Sequence, residues 1–341
     1  MKKTKKKIIA AGLAVLLLAG VLGGCGRDKG QNRQPETIRV GSMKGPTSMG
    51  LLFLMDKAEQ GKAANEYEFQ MTTGADELLP LMVKGELDIA LVPANVESVL
   101  YNKTEGGISV IDINTLGVLY MVSGDTAIQG IADLKGRTIY LTGKGTTPDY
   151  VLQYLLGENG VQQSEVTLEY KSEEAEVAAV LAENPDAVGL LPQPFVTAAC
   201  AQNEALSVVV DMNAEWTNAQ GEEGGSRLVT GVTVVRREFL QEHEEAVLDF
   251  MMEHKESAAA INAEPEKGAG LAVKAGIVAK EPIAAKAIPL CNITYLEGEE
   301  MKQALSGYLQ VLYGQAPESV GSNLPDADFY YMATLQSTGN L

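Results

Sequence analysis

Ser42-Met43-Lys44-Gly45-Pro46-Thr47-Ser48 is the stretch of sequence that decides the predicted fold. A short apolar strand, Ile38 to Gly41, precedes it, and a helix from Ser48 to about Glu59 follows it. Where a strand passes through a Gly-Pro turn into a helix, several backbone N–H groups have no intrahelical partner. Those groups and the helix dipole can bind an anionic or acceptor-rich ligand. We therefore interpret this turn as one wall of a ligand-binding cleft.

The same alternation of strand and helix continues from Glu36 onward. Residues 67–71 place an apolar side chain at every second position, a period that predicts a strand. A helix from Ala75 to Lys84 and an apolar strand from Asp88 to Val92 follow. A second series of the same kind begins at the strand Thr138 to Leu141. This order predicts an α/β fold in which helices cover the faces of the sheets.

Five strand-to-helix turns share one design, in which a small or polar turn connects the two elements. Each turn alone is equally consistent with an ordinary helix cap. Because ligands collect at the carboxyl ends of strands in open α/β sheets, the set of turns favours a shared cleft. The candidate ligand-binding residues are Gly45, Pro46, Thr47, Ser48, Thr73, Pro93, Ala94, Asn95, Gly145, Thr146, Thr147, Gln193 and Pro194.

Three further side chains near these turns allow two interpretations each. Lys44 and Lys144 could pair with an anionic ligand or be solvated. Trp216 lies in a polar, Gly-rich stretch, residues 214–226, that predicts a loop. Its ring could stack on a ligand or fill a hydrophobic gap in the lobe that carries it.

The first 24 residues have the order of an export signal: five lysines, an apolar run from Ile8 to Leu22, and small residues before Cys25. Leu22-Gly23-Gly24-Cys25 resembles the lipobox of bacterial lipoproteins. That resemblance implies cleavage before Cys25, diacylglyceryl modification with palmitate-type chains, and anchoring at the outer face of the cytoplasmic membrane. A plain signal peptide or an uncleaved anchor is the alternative. The polar residues 25–35 predict a flexible tether.

Charge and residue usage exclude several function classes. The chain carries a formal net charge of −18 and has no basic run after the signal, which argues against a nucleic-acid partner. Cys200 and Cys291 are interpreted as buried free thiols, although the compartment would permit a disulfide. His243 and His254 lie on one charged helix and are interpreted as solvated. We find no metal-ligand spacing, no nucleotide-binding loop and no nucleophile motif, and we expect no cofactor.

Four stretches together resemble a known family of binding proteins. They are Arg39 to Thr47, Gly85 to Ala90, Asp133 to Ile139 and Val232 to Arg236. Their order is similar to that of the type II periplasmic-binding fold of ABC transporter substrate-binding lipoproteins. More narrowly, it resembles the nitrate, sulfonate, taurine and thiamine-pyrimidine-precursor binding group.

The resemblance implies two lobes joined by crossing strands at Leu116–Ser123 and Leu228–Val235. Lobe 1 would comprise residues 36–120 and 232–341, and lobe 2 residues 121–231. The lobes would close on a small polar solute, anionic or heteroaromatic, and deliver it to a permease and ATPase complex. The family's ligand-contacting loops fall on the candidate residues named above.

We expect such a protein to be a monomer and not an enzyme. An enzyme on the same fold, of a futalosine-pathway or pyrimidine-synthesis type, is one alternative function. The cysteine-rich motif of the related eukaryotic pyrimidine synthases is missing from this sequence. A surface sensor lipoprotein with no transport role is the other alternative.

Overall fold

A computed structural model describes residues 34–221 and 225–332. The predicted signal peptide at 1–24, the predicted lipidation site Cys25 and most of the predicted tether lie outside the described residues. Both sheets belong to the compact unit that begins at Glu36. The strands in chain order are β1 (Thr37–Met43), β2 (Glu66–Thr72), β3 (Ile89–Pro93), β4 (Ile108–Leu116), β5 (Leu119–Ser123), β6 (Thr138–Leu141), β7 (Thr167–Tyr170), β8 (Val188–Pro192), β9 (Ser207–Asp211), β10 (Val229–Arg236) and β11 (Ile293–Leu296).

The two mixed sheets share one arrangement of five strands, and the first sheet has β11 as a sixth strand at its edge. The first has the order β11-β4-β10-β3-β1-β2, with β1 parallel to β2 and β3 and with β10 antiparallel to β3 and β4. The second has the order β7-β6-β8-β5-β9, with β6 parallel to β7 and β8 and with β5 antiparallel to β8 and β9. The two-lobed α/β fold predicted from the sequence is confirmed, because each sheet is flanked by helices.

The helices occupy most of the segments predicted for them. They are α1 (Pro46–Met49), α2 (Leu52–Glu59), α3 (Ala75–Val83), α4 (Val96–Lys103), α5 (Thr147–Glu158), α6 (Glu174–Glu183), α7 (Phe195–Gln202), α8 (Met212–Gln220), α9 (Arg237–Glu242), α10 (Glu244–Ala263), α11 (Pro265–Lys274), α12 (Glu281–Ala287) and α13 (Gly298–Gln315). Two predicted helices are each divided in the structure. The first is broken after Met49, and the helix predicted to carry both His243 and His254 is broken at His243.

The chain passes between the sheets at a two-residue connection. The predicted strand Leu116–Ser123 is in fact shared: β4 ends at Leu116 in the first sheet, and β5 begins at Leu119 in the second. The chain returns from β9 through α8 to β10, which lies wholly in the first sheet. The division into lobes at residues 120 and 231 stays a prediction.

Strand β4 was missed in the sequence because polar residues interrupt its apolar pattern. Asp112 and Asn114 are fully or almost fully buried. Thr233 on β10 connects them, donating its hydroxyl proton to Asp112 at 2.8 Å and accepting from the Asn114 amide at 3.1 Å. Hydrogen bonds of this kind remove the penalty for burying polar groups. A central strand such as β4 can therefore contain the buried polar residues Asp112 and Asn114.

The interpretation of His254 as a solvated residue is wrong. Its side chain is 0% exposed, and Nδ1 lies 3.2 Å from Oδ2 of Asp112. Its ring packs against Phe250 on one side and Tyr295 on the other. The residue sits on the apolar face of α10, which covers β4. The packing of α10 on β4 therefore buries His254, although the sequence around the residue is charged.

Trp216 fills a hydrophobic gap and does not lie in a loop. The predicted loop contains helix α8, whose N-terminus is capped by Asp211 through the backbone N–H groups of Asn213 and Ala214. Trp216 is 0% exposed and contacts the rings of Tyr154 and Tyr308, with centroids 4.9 and 5.5 Å away. Because Tyr308 belongs to α13, this contact joins α8 to a helix that packs on the first sheet.

Both cysteines within the described ranges are free thiols. Cys291 is buried, and burial raises its pKa to about 12, so the thiol is protonated and unreactive at neutral pH. Cys200 is only half-buried. Among residues 34–221 and 225–332, none of the helices combines the length and hydropathy of a membrane-spanning segment.

Candidate functional site

A cavity of about 930 Å³ lies where the parallel strands of both sheets end. Met43 ends β1, Pro93 ends β3 and Pro192 ends β8, and all three line this cavity. Thr142, directly after β6, lines it as well. The carboxyl ends of strands are where open α/β sheets bind ligands. The volume suits a molecule of ordinary metabolite or drug size.

Most of the candidate ligand-binding residues lie in the wall of this cavity. The first sheet supplies the β1–α1 turn, the residue after β2 and the end of β3. The second sheet supplies the start of α5 and the residues after β8. The candidates that line the cavity are Gly45, Pro46, Thr47, Thr73, Pro93, Thr147, Gln193 and Pro194.

Three other candidates are outside the lining because their polar groups are used within the turns. Ser48 is 0% exposed and its hydroxyl donates to the carbonyl of Met43. The Gly145 N–H donates to Asp149 at 2.8 Å. The Thr146 hydroxyl donates to the Gly143 carbonyl at 2.6 Å.

The remaining two candidates are Ala94, which is bound within the first sheet, and Asn95, which contacts the second half. Ala94 is 1% exposed and its N–H donates to the carbonyl of Thr230 at 3.0 Å. The Asn95 amide donates to the Ser319 carbonyl at 3.2 Å, and its oxygen accepts from the Thr147 hydroxyl at 3.2 Å. Because Thr147 starts α5 beside the second sheet, Asn95 connects the two halves behind the cavity.

The two lysines beside the turns have different environments. Lys44 is exposed and lines the cavity. The Lys144 amine lies over the ring of Tyr170, 5.3 Å from its centroid, and is not part of the lining.

Sequence reasoning missed one wall of the cavity. It is the connection between α11 and α12, residues 276–280, together with Ile283. The local signal was present, since Gly276 ends a helix and apolar Ile277 and Val278 follow before the next helix begins. Nothing local indicates that this connection reaches α7 of the second sheet, where Phe195, Ala198, Ala201 and Gln202 face the same cavity.

Gln193 has the most constrained side chain in the lining. Its Oε1 accepts from the N–H and the hydroxyl of Thr197, at 3.3 and 2.8 Å. Since a backbone N–H only donates, this fixes which amide atom is the oxygen. The amide nitrogen then has no hydrogen-bond partner among the described residues, and the side chain is 0% exposed. An unpaired buried donor of this kind costs about 1–3 kcal/mol unless something else accepts from it.

Gly231 on β10 lets Thr47 reach the cavity wall. A methyl group on residue 231 would lie 2.6 Å from the Asn114 side-chain oxygen and closer still to the Thr47 side chain. We expect Gly231→Ala to lower the free energy of unfolding by about 1–3 kcal/mol, because both neighbours must move. Urea denaturation measures the change.

Gly157 is the matched control for Gly231. It lies in α5, and a methyl group there has no neighbour within 4 Å. Gly157→Ala is expected to stabilise the protein by about 0.5–1 kcal/mol, since alanine is the better helix former. Equal stability of the two variants would contradict the close approach of Gly231 and Thr47.

A model of one protein family matches part of the chain. The family is described as NMT1/THI5 like, and the match covers residues 108–268. This segment runs from β4 into α11 and includes the whole second sheet. No curated protein sequence matches the chain.

Solved structures with the same fold include an ABC transporter protein and sulfonate-binding proteins. An ABC transporter protein from Parabacteroides distasonis is 24% identical, with a TM-score of 0.73, over 86% of this chain and 98% of that one. The periplasmic aliphatic sulphonate binding protein SsuA of Escherichia coli is 15% identical, with a TM-score of 0.70, over 90% and 96%. The alkanesulfonate-binding protein SsuA of Xanthomonas axonopodis pv. citri, bound to MOPS, is 15% identical, with a TM-score of 0.61, over 86% and 96%. The resemblance predicted from the sequence is thereby confirmed.

Proposed function

We propose that this chain is the extracytoplasmic solute-binding component of an ABC importer. One observation carries the proposal: a single cavity of about 930 Å³ is built from the strand ends of both sheets. A solute held there contacts both halves of the molecule. Its affinity is then greater for the closed than for the open arrangement, which is what drives closure on binding.

The structural neighbours support this role at a coarser level. They include an ABC transporter protein and sulfonate-binding proteins, and they share the fold over most of both chains. Delivery of the solute to a permease and ATPase complex, action as a monomer, and the lobe boundaries at residues 120 and 231 are part of our proposal. So are cleavage of the signal peptide at 1–24 and anchoring through a lipid on Cys25 at the outer face of the membrane.

The candidate residues in the cavity wall are assigned different roles. Thr47 supplies a free hydroxyl group, whereas the hydroxyls of Thr73 and Thr147 donate to Glu77 and Asn95 and have only acceptor capacity left. Gln193 forms part of the wall. Gly45 and the three prolines, Pro46, Pro93 and Pro194, shape the wall. Both histidines of the chain lie elsewhere: His254 is buried against Asp112, and His243 lies near Glu36. This placement favours binding over general acid–base chemistry at the cavity, since histidine is the residue that most often supplies such chemistry.

Native mass spectrometry tests the proposal. The purified chain is incubated with a bacterial metabolite extract, desalted, and measured before and after denaturation. We expect one additional mass per chain that is lost on unfolding and is recovered chemically unchanged. A small molecule that is consumed and released as a different product would overturn the proposal in favour of the enzyme. A protein that retains no small molecule from the extract would contradict it as well.

A further inference from the structure

At two of the helices around the cavity, α3 and α5, acidic side chains of the same helix already bind the N–H groups at its start. At α3, Glu77 accepts from the N–H groups of Thr73 and Gly74 at 3.1 and 3.3 Å, and from the Thr73 hydroxyl at 2.6 Å. Those hydrogen bonds, with the Thr73 hydroxyl first, lower the pKa of Glu77, so it is ionised at neutral pH. A negative charge therefore stands where a ligand anion would have to bind.

The start of α5 repeats this arrangement with a buried carboxylate. Asp149 is 3% exposed and accepts from the Gly145 N–H at 2.8 Å. Its other oxygen accepts from Gln153 at 2.6 Å and from the Tyr170 hydroxyl at 2.8 Å. All of its strong interactions are made within the second sheet and its helices. The helix dipole at this end stabilises Asp149 and is not available to a solute anion.

The lining carries few charges. Its charged side chains are Lys44, Glu174 and Lys280, and the described part of the lining contains no arginine. Both lysines are exposed, so water screens them, whereas Glu174 accepts a hydrogen bond from Thr142 at 3.2 Å. Recognition of a sulfonate, nitrate or phosphate group normally uses arginine forks or free N–H groups.

Apart from these three charged side chains, the lining consists of apolar side chains and a few neutral polar groups. The hydroxyls of Thr47 and Thr230 form no hydrogen bond within the described residues, and the Gln193 amide nitrogen is unpaired. The apolar side chains of the lining include Leu190, Phe195, Ala198, Ala201, Ile277 and Val278. An apolar wall with a few neutral hydrogen-bonding groups is typical of sites for uncharged ligands with rings.

We infer that the solute is an uncharged molecule with a large apolar or aromatic surface and one or two hydrogen-bond acceptors. The capped helix starts at α3 and α5 and the lack of arginine in the described lining argue against a compact oxyanion. This inference rests on the proposed function and narrows its solute class. The apolar body of the solute packs against Phe195, Leu190 and Ile277. The hydroxyls of Thr47 and Thr230, which line the cavity, donate to the acceptor atoms of the solute.

The test compares three probes on the purified full chain. N-phenyl-1-naphthylamine is a neutral apolar dye, while methanesulfonate and nitrate are compact oxyanions. We expect the dye to bind one to one with increased fluorescence and to raise the melting temperature, because a ligand that binds only the native state stabilises it. We expect neither anion at about 100-fold excess over the dye to displace it or to change the melting temperature.

Two paired variants establish where the dye binds. Ala198→Trp with Ala201→Trp fills the cavity from α7, and the dye affinity should fall at least tenfold. Ala179→Trp with Ala182→Trp places the same side chains on the exposed face of α6, and the affinity should be unchanged.

Two outcomes overturn the inference. One is a melting temperature raised by methanesulfonate or nitrate and returned to the baseline by Lys44→Met with Lys280→Met. In that case the cavity binds anions and the proposed transport role survives. The other is that the dye does not bind to the wild type, or that it binds equally well to the variant with both α7 substitutions. If the protein also retains nothing from the metabolite extract, the proposed function fails with it.

Discussion

Replacing Asp88 with asparagine is expected to lower the free energy of unfolding by about 2–4 kcal/mol, measured by urea denaturation at pH 7. Asp88 is 1% exposed. Its carboxylate accepts from Arg39 Nε and Nη2 at 2.8 and 2.6 Å and from Arg236 Nη2 at 3.0 Å. Asparagine removes the negative charge between two cations. Because the Arg39 side chain is 36% exposed, solvent screens part of the attraction, and we do not expect a larger loss.

The same cluster predicts how stability depends on pH. Burial alone would raise the pKa of Asp88, but the hydrogen bonds and charges of Arg39 and Arg236 outweigh it, so the pKa is lowered. A carboxyl whose pKa is lower in the folded protein stabilises the fold at pH values above its unfolded pKa of about 3.9. This stabilisation is lost as the pH falls through the folded value. We therefore expect the difference between wild type and Asp88→Asn to shrink in acid.

Asp125 provides the control for Asp88. It forms one ion pair with Arg137 at 2.7 Å near the surface, with its side chain 25% exposed. Asp125→Asn should change the unfolding free energy far less than Asp88→Asn, since exposed ion pairs contribute little. An effect of Asp88→Asn as small as that expected for Asp125→Asn would show that the buried cluster does not stabilise the fold.

The Asp88 cluster also explains three of the four stretches that carry the family resemblance. Arg39 comes from the first stretch, Asp88 from Gly85 to Ala90, and Arg236 from Val232 to Arg236. These positions lie on β1, just before β3, and at the end of β10, and they meet on one side of the first sheet. Residues far apart in the chain thus fix the relative positions of three strands. Sequence alone indicated the motifs but not that they contact one another.

Local patterns predicted much of the fold and only part of the site. The strands that alternate or are uniformly apolar, such as β1, β2 and β3, were placed within two residues. Strand β4 was missed because its polar residues are satisfied by Thr233 and His254, which lie more than 100 residues further along the chain. A long-range hydrogen bond leaves no periodicity in the sequence. The same reason explains the incorrect placement of His254.

At α3 and α5 the structure corrects the expected role of free N–H groups at the helix starts. At the β1–α1 turn that role stays a prediction. Glu77 lies three residues after Gly74, the spacing of a capping box, and Asp149 lies in the first turn of α5. Both signals are visible in the sequence. They indicate that these helix ends are satisfied internally, and the structure gives the distances that establish it. The prolines and threonines of the turns still line the cavity, so the position of the cleft was predicted better than its chemistry.

Filling the cavity from α7 is expected to abolish solute retention while leaving the protein folded. Ala198 and Ala201 lie three positions apart on α7, and both line the cavity opposite the connection that contains Ile277 and Val278. Two tryptophans at these positions occupy the space that the solute needs. We expect the affinity for the metabolite retained in native mass spectra to fall at least 100-fold, equivalent to about 2.7 kcal/mol.

A control variant and a stability measurement distinguish loss of retention through a filled cavity from loss through unfolding. Because both alanines face open space and not the core, the double substitution should change the unfolding free energy by no more than about 1–2 kcal/mol. Ala179→Trp with Ala182→Trp, on the exposed face of α6, should retain the metabolite at the wild-type level. Retention by the α7 variant at the wild-type level would place the solute outside this cavity. The strand ends of the two sheets would then have no part in binding it.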